Sequence, residues 1–89
     1  MGRRGSEWAS FAPLPRVAHG DNMALVKLIG QNVKRRRERR GWTQAELAAK
    51  VGIHRISLAR LEGGGKGPSW ALLERLARAL GVRPGRLLD

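Results

Sequence analysis

Cysteine is absent from this sequence, which excludes a disulfide scaffold and any thiolate metal site and fits a reducing, cytoplasmic setting. Long apolar runs are absent too. Nothing approaches the ~18 residues of a membrane span, and the N-terminus lacks the apolar segment of a secretory signal. No paired carboxylates, nucleophile–base set or metal-ligand cluster can be picked out, and neither His19 nor His54 has ligand neighbours. No catalytic residue, metal or other cofactor is therefore expected. Acidic residues are scarce: seven Asp and Glu face eighteen Lys and Arg, a net charge of +11. An excess of that size points first to a polyanionic partner, nucleic acid above all, although arginine-rich coding bias alone can also raise charge.

A chain of 89 residues suits one domain, which without disulfides must rely on an economical helical core or on dimerisation. Residues 1–22 hold close-spaced prolines and no sustained helical or strand period, so they read as a disordered arm, with Trp8 and Phe11 as its only anchor candidates. Clean patterning begins at Met23, which raises a second possibility: Met23 is the initiator and 1–22 is upstream sequence. The folded domain is expected over 23–89. The chain stops soon after the last patterned segment, leaving no expected sensor or oligomerisation domain.

The most informative stretch is Trp42 to Glu62. Thr43 and Glu46 have the spacing of a capping box, and Trp42 with Leu47 the spacing of a hydrophobic staple, so a helix starts here. Leu47, Ala48 and Val51 give it one apolar face. Gly52 ends it in a left-handed turn, and Ile53 folds back on Leu47 and Ala48. A second helix follows from His54. At about 100° per residue Leu58 and Leu61 share its inner side, Ile56, Ala59 and Arg60 point away, and Arg55 and Ser57 lie on the flanks. Two short helices in a tight turn need flanking helices to complete a core, which leaves the outer face of the second one free. That is helix-turn-helix geometry.

The flanking segments supply what is needed. A first helix is expected from Ala24 to Arg40, with Leu25, Ile29 and Val33 along one side and Gly41 as its end. Six of the seven residues from Lys34 to Arg40 are cationic, and they cannot all face one partner. Arg37 is one turn beyond Val33 and so faces inward, where a charge needs a partner. Lys34, Arg35, Arg39 and Arg40 are candidates for long-range attraction. After Glu62, the run Gly63 to Pro68 is a flexible turn that can bring Lys66 near a phosphate, but it lacks the spacing of a nucleotide-binding loop. Ser69 can cap a helix from Trp70 to Leu80, where Leu72, Leu73, Leu76, Ala77 and Leu80 form the main core wall. Gly81 ends it, and Pro84 opens a last short turn. Leu87 and Leu88 then close the core or, with Trp70, face a second copy.

Gly41, Thr43-Gln44, Leu47-Ala48, Val51-Gly52-Ile53, Leu61-Glu62 and Leu80-Gly81-Val82 together resemble the phage-repressor family, the Cro/XRE-like (lambda-repressor-like) helix-turn-helix domains, over roughly 28–88. The resemblance implies a compact all-α domain of four to five helices. It also implies an ion pair between Arg37 and Glu62, DNA contacts from Thr43 and Gln44, with Gln44 on a phosphate, and a recognition helix in the major groove. There Arg60 or Arg55 would read a guanine, Ile56 would meet a thymine methyl, Ser57 would reach a base or phosphate, and Ala59 would allow close approach. His54 replaces a better capping residue and can reach a phosphate through its imidazole; Arg83 likewise replaces a typical cap. The implied function is sequence-specific binding of double-stranded DNA as a transcriptional repressor, with a homodimer on a palindrome. Two other readings stand beside it: an antitoxin that regulates its own operon with a toxin as partner, and a basic amphipathic protein of membrane surfaces built on 23–40.

Overall fold

The computed structural model describes the backbone of residues 13–89 and the side chains from 23 onward. Among these residues there is no strand. Four α-helices, α1 (Pro13–Arg39), α2 (Gln44–Val51), α3 (Arg55–Glu62) and α4 (Trp70–Leu80), are followed by a short 3-10 turn, Pro84–Leu88. The arm expected over 1–22 lies outside the residues with described side chains, and the bounds of α1 reach back into it as far as Pro13. Proline suits a first helical turn, where its missing N–H has no partner to lose. At the other end α1 stops at Arg39, and Gly41, at φ 73°, turns the chain toward α2.

The core is formed by Ile29 and Val33 of α1, Leu47, Ala48 and Val51 of α2, Leu58 and Leu61 of α3, Leu73, Leu76, Ala77 and Leu80 of α4, and Leu87. Each large aliphatic side chain buried here contributes about 1.5–3 kcal/mol relative to exposure. One expectation needs correction. Leu25 is exposed rather than part of the inner face. Turning about 100° per residue from Arg37, Val33, Gly30 and Val26 fall within about 40° of one line, Ile29 lies about 80° aside and Leu25 about 120° away. A strict four-residue repeat drifts off the helix face, and Val26, not Leu25, meets the loop after α3. Of the two places expected for Leu87, the core is the one it takes: it is fully buried in the monomer, because Pro84 starts a turn that carries it under α1 and α4.

Polar ties lock the last turn to α1. Asn32 donates from Nδ2 to the carbonyl of Leu87 at 2.9 Å, and Arg35 donates to the Oδ1 of Asn32. Arg40 donates to the carbonyl of Leu80 at 2.8 Å, satisfying an orphan acceptor at the end of α4. Ser69 caps the other end of that helix by accepting from the Leu72 N–H at 3.1 Å.

Candidate nucleic-acid interface

The turn between α2 and α3 is built from local chemistry. Thr43 accepts from the Glu46 N–H at 3.1 Å while its own N–H donates to Glu46 Oε1 at 2.7 Å. Hydrogen bonding to the carboxylate, first from the Thr43 backbone N–H and then from the Thr43 hydroxyl, holds the Glu46 carboxyl below its ordinary value. At the far end of α2, Gly52 sits at φ 74°, where any side chain would be strained, and the Ile53 N–H returns to the Ala48 carbonyl at 3.0 Å. Two residues later α3 begins. His54 is extended at the cap position and makes no side-chain capping bond, so its imidazole is left on the surface.

Inside, α3 is anchored by Leu58, Leu61 and Glu62. The Glu62 carboxylate accepts twice from Arg37, from Nε at 2.6 Å and from Nη2 at 2.9 Å, and the remaining Nη1 donates to the Trp42 carbonyl at 2.7 Å. Both side chains are buried. The hydrogen bonds to Glu62 and its negative charge raise the Arg37 pKa against the opposing effect of burial, so the guanidinium stays charged. Glu62 Oε1 also accepts from Gln44 Nε2 at 3.0 Å. One carboxylate thus joins α1, the first residue of α2 and the end of α3. It commits one hydrogen of the Gln44 amide and leaves the other available to a phosphate.

Outside, α3 presents an unobstructed face. Arg55, Ser57 and Arg60 are exposed, Ile56 is 55% exposed, and Ala59 is half-buried. Lys66 is exposed on the loop that follows, and together with Arg60 and Ser57 it borders an open hollow of about 330 Å³. Next to α2, Trp42 lies between two cations, Arg40 at 5.2 Å and Lys50 at 4.6 Å from the ring centre. Arg40, although exposed, thus also has contacts within the fold, the Leu80 carbonyl and an indole. Among the described residues no group of three or more His, Cys, Asp or Glu could hold a metal, and no helix is long and apolar enough to cross a membrane.

A family model for the helix-turn-helix domain matches residues 28–89. The chain belongs to the Cro/XRE-like helix-turn-helix family. It is 42% identical over 60 residues to the HTH-type transcriptional regulator y4dJ of Sinorhizobium fredii, a match covering 67% of this chain and 78% of the relative. Among solved structures it is similar to SinR, a master regulator for biofilm formation crystallised in complex with DNA (TM-score 0.65, 35% identity, 68% of this chain and 98% of that one). It is also similar to hydroxypropylphosphonic acid epoxidase of S. wedmorenis (TM-score 0.68, 29% identity, 73% of this chain), but there the match covers only 35% of the enzyme. The match thus takes in nearly all of the solved regulator chain and a minor part of the solved enzyme chain.

Within this helix-turn-helix domain, two residues that fix the packing of α1, one against α3 and one against the last turn, have no counterpart in the periodicity of the sequence. Gly30 lets α1 lie directly on the end of α3: a Cβ there would sit 2.2 Å from the Leu61 carbonyl oxygen and 2.9 Å from that of Glu62. A glycine inside a helical pattern costs about 1 kcal/mol relative to alanine, and here the close approach of α3 is the reason for it. Asn32 is the other, fully buried on a helix whose pattern marks only apolar positions as inner. A polar residue reads as outward unless its partner, here a carbonyl 55 residues away, is known.

Proposed function

We propose that the protein is a sequence-specific, double-stranded DNA-binding transcriptional regulator, and that it acts as a repressor. The observation that carries the reading is the outer face of α3, where Arg55, Ile56 and Arg60 are exposed on a helix whose inner face is fixed by the Glu62 carboxylate and the Gly30 seat. Rigid support matters because base reading requires side chains delivered at fixed distances. With α3 in the major groove, Arg60 or Arg55 pairs with guanine O6 and N7, Ile56 packs on a thymine methyl, and Gln44, His54 and Lys66 take phosphates. The likeness to SinR, solved with DNA, supports this assignment. The role is one of binding rather than catalysis.

A homodimer on a palindrome, its half-sites about one helical turn apart, would double the contacts. With Leu87 in the core, exposed Trp70 and half-buried Leu88 are what remain as candidates for its surface. An antitoxin role requires a toxin that binds such a surface while α3 holds DNA. The membrane-surface reading loses its support, because the apolar residues Ile29 and Val33 of α1 are consumed by the core.

Selection from pooled random duplexes with excess non-specific competitor tests the proposal. An enriched palindromic motif is expected, and Arg60→Ala should relax it at one position by about 1–3 kcal/mol. Weak, motif-free binding erased by salt in both proteins would overturn it.

A further inference from the structure

The hollow beside α3 has a composition that DNA contact alone does not use. Its floor is apolar, made by Leu61 at the end of α3, Ile53 from the turn before it and Leu72 from the first turn of α4. Ile53 and Leu72 are only half-buried, so the floor is wet. Its remaining lining is cationic and hydrogen-bonding, with Arg60 from α3, Lys66 from the loop after it and Ser69 from the cap of α4. The Ser69 hydroxyl oxygen accepts from the Leu72 N–H, which leaves its proton to donate outward. No acidic residue lines the hollow. A backbone phosphodiester would satisfy the polar lining and leave the floor uncovered. At about 330 Å³ the hollow reaches the lower end of the volumes, about 300–1,000 Å³, in which small molecules bind.

We propose that this hollow binds a small amphipathic phosphomonoester, its phosphate held by Arg60, Lys66 and Ser69 and its apolar body laid on Ile53, Leu61 and Leu72. A phosphomonoester suits the polar lining because it carries up to two charges and three acceptor oxygens. Occupancy draws Arg60 toward the ligand and away from a base edge, so ligand and operator compete. That regulatory consequence rests on the reading of α3 as the base-reading helix; the binding itself does not.

The test titrates the full chain, free of DNA, with 1-naphthyl phosphate, following backbone amide resonances by NMR, with inorganic phosphate and 1-naphthol as half-probes. Saturable shifts confined to residues around Ile53, Arg60, Lys66 and Leu72 are expected, with each half-probe binding at least tenfold more weakly. Lys66→Ala, on an exposed loop, should weaken binding at least fivefold while the amide spectrum stays folded. Equal binding of inorganic phosphate, shifts spread along the arginines of α1, or indifference to Lys66→Ala would overturn the site. In a second arm, 1-naphthyl phosphate is added to the complex with a selected duplex; unchanged DNA affinity at saturating ligand would overturn the competition. An enriched motif without ligand shifts refutes the hollow alone, whereas ligand shifts without a motif refute the DNA reading alone.

Discussion

At Gly30 there is no room for a single methyl group. A Cβ would press on the carbonyl oxygens of Leu61 and Glu62, and these belong to backbone that cannot yield unless α3 moves. Alanine is a better helix former than glycine by about 1 kcal/mol, so on propensity alone Gly30→Ala would stabilise. Overpacking against backbone costs about 1–3 kcal/mol, and the net expectation is a lower melting temperature by circular dichroism, with DNA affinity falling further as α3 is displaced. The Glu62 carboxylate offers the complementary case. Its side chain is only 3% exposed and that of Arg37 9%, so Glu62→Ala strands a buried guanidinium and should cost about 3–5 kcal/mol in urea unfolding. Arg37→Met with Glu62→Leu should be clearly milder than Glu62→Ala alone, since no charge is then left without its counter-charge. The inward place of Arg37 is legible because it lies one turn from Val33, and Glu62 as its partner came from the family resemblance. Gln44 on the same carboxylate was not legible, since nothing in its spacing distinguishes a phosphate ligand from a side chain turned back on Glu62.

Among the elements, legibility follows locality. The boundaries of α2 and α4 are written in residues three or four apart: Thr43 with Glu46, Ser69 with the Leu72 N–H, Gly52 and Gly81 at the ends. Such bonds form within one turn, so the sequence carries them without knowledge of the fold. The inner face of α1 and the destination of Leu87 depend on which elements dock where, so Leu25 was misplaced and Leu87 was left open between the core and a second copy. The capping box of α2 also makes a pH-dependent contribution that can be isolated. Glu46 has a folded-state pKa below its ordinary 4.5, so the charged form is favoured by folding. Its stabilisation is fully present above pH 4.5 and is lost as pH falls through the depressed folded value. The stability difference between wild type and Glu46→Gln should therefore be constant near neutrality and shrink below pH 4.5. A difference unchanged down to pH 3 would show that the carboxylate's charge adds nothing to the cap.

For the molecule as a whole, a net charge of +11 does not mean eleven equivalent contacts with DNA. Arg37 is spent inside the core, and Arg40 is held by the Leu80 carbonyl beside the Trp42 ring. Lys66, by contrast, is exposed on the loop next to the outer face of α3. The two kinds of cation should separate in a salt titration, because log affinity falls with log salt at about −0.9 for each neutralised phosphate. Lys66→Ala should make the slope shallower by about 0.9 and weaken binding by a similar factor on every sequence, without moving the unfolding midpoint. Arg40→Ala should do the reverse. It removes a buried-carbonyl partner worth about 1.5–3 kcal/mol for a charged donor, so the midpoint drops while the slope of the protein that remains folded is unchanged. Equal changes in slope for the two variants would mean that the fold does not sort these charges, and that the arginine-rich end of α1 meets DNA as an undifferentiated cationic surface.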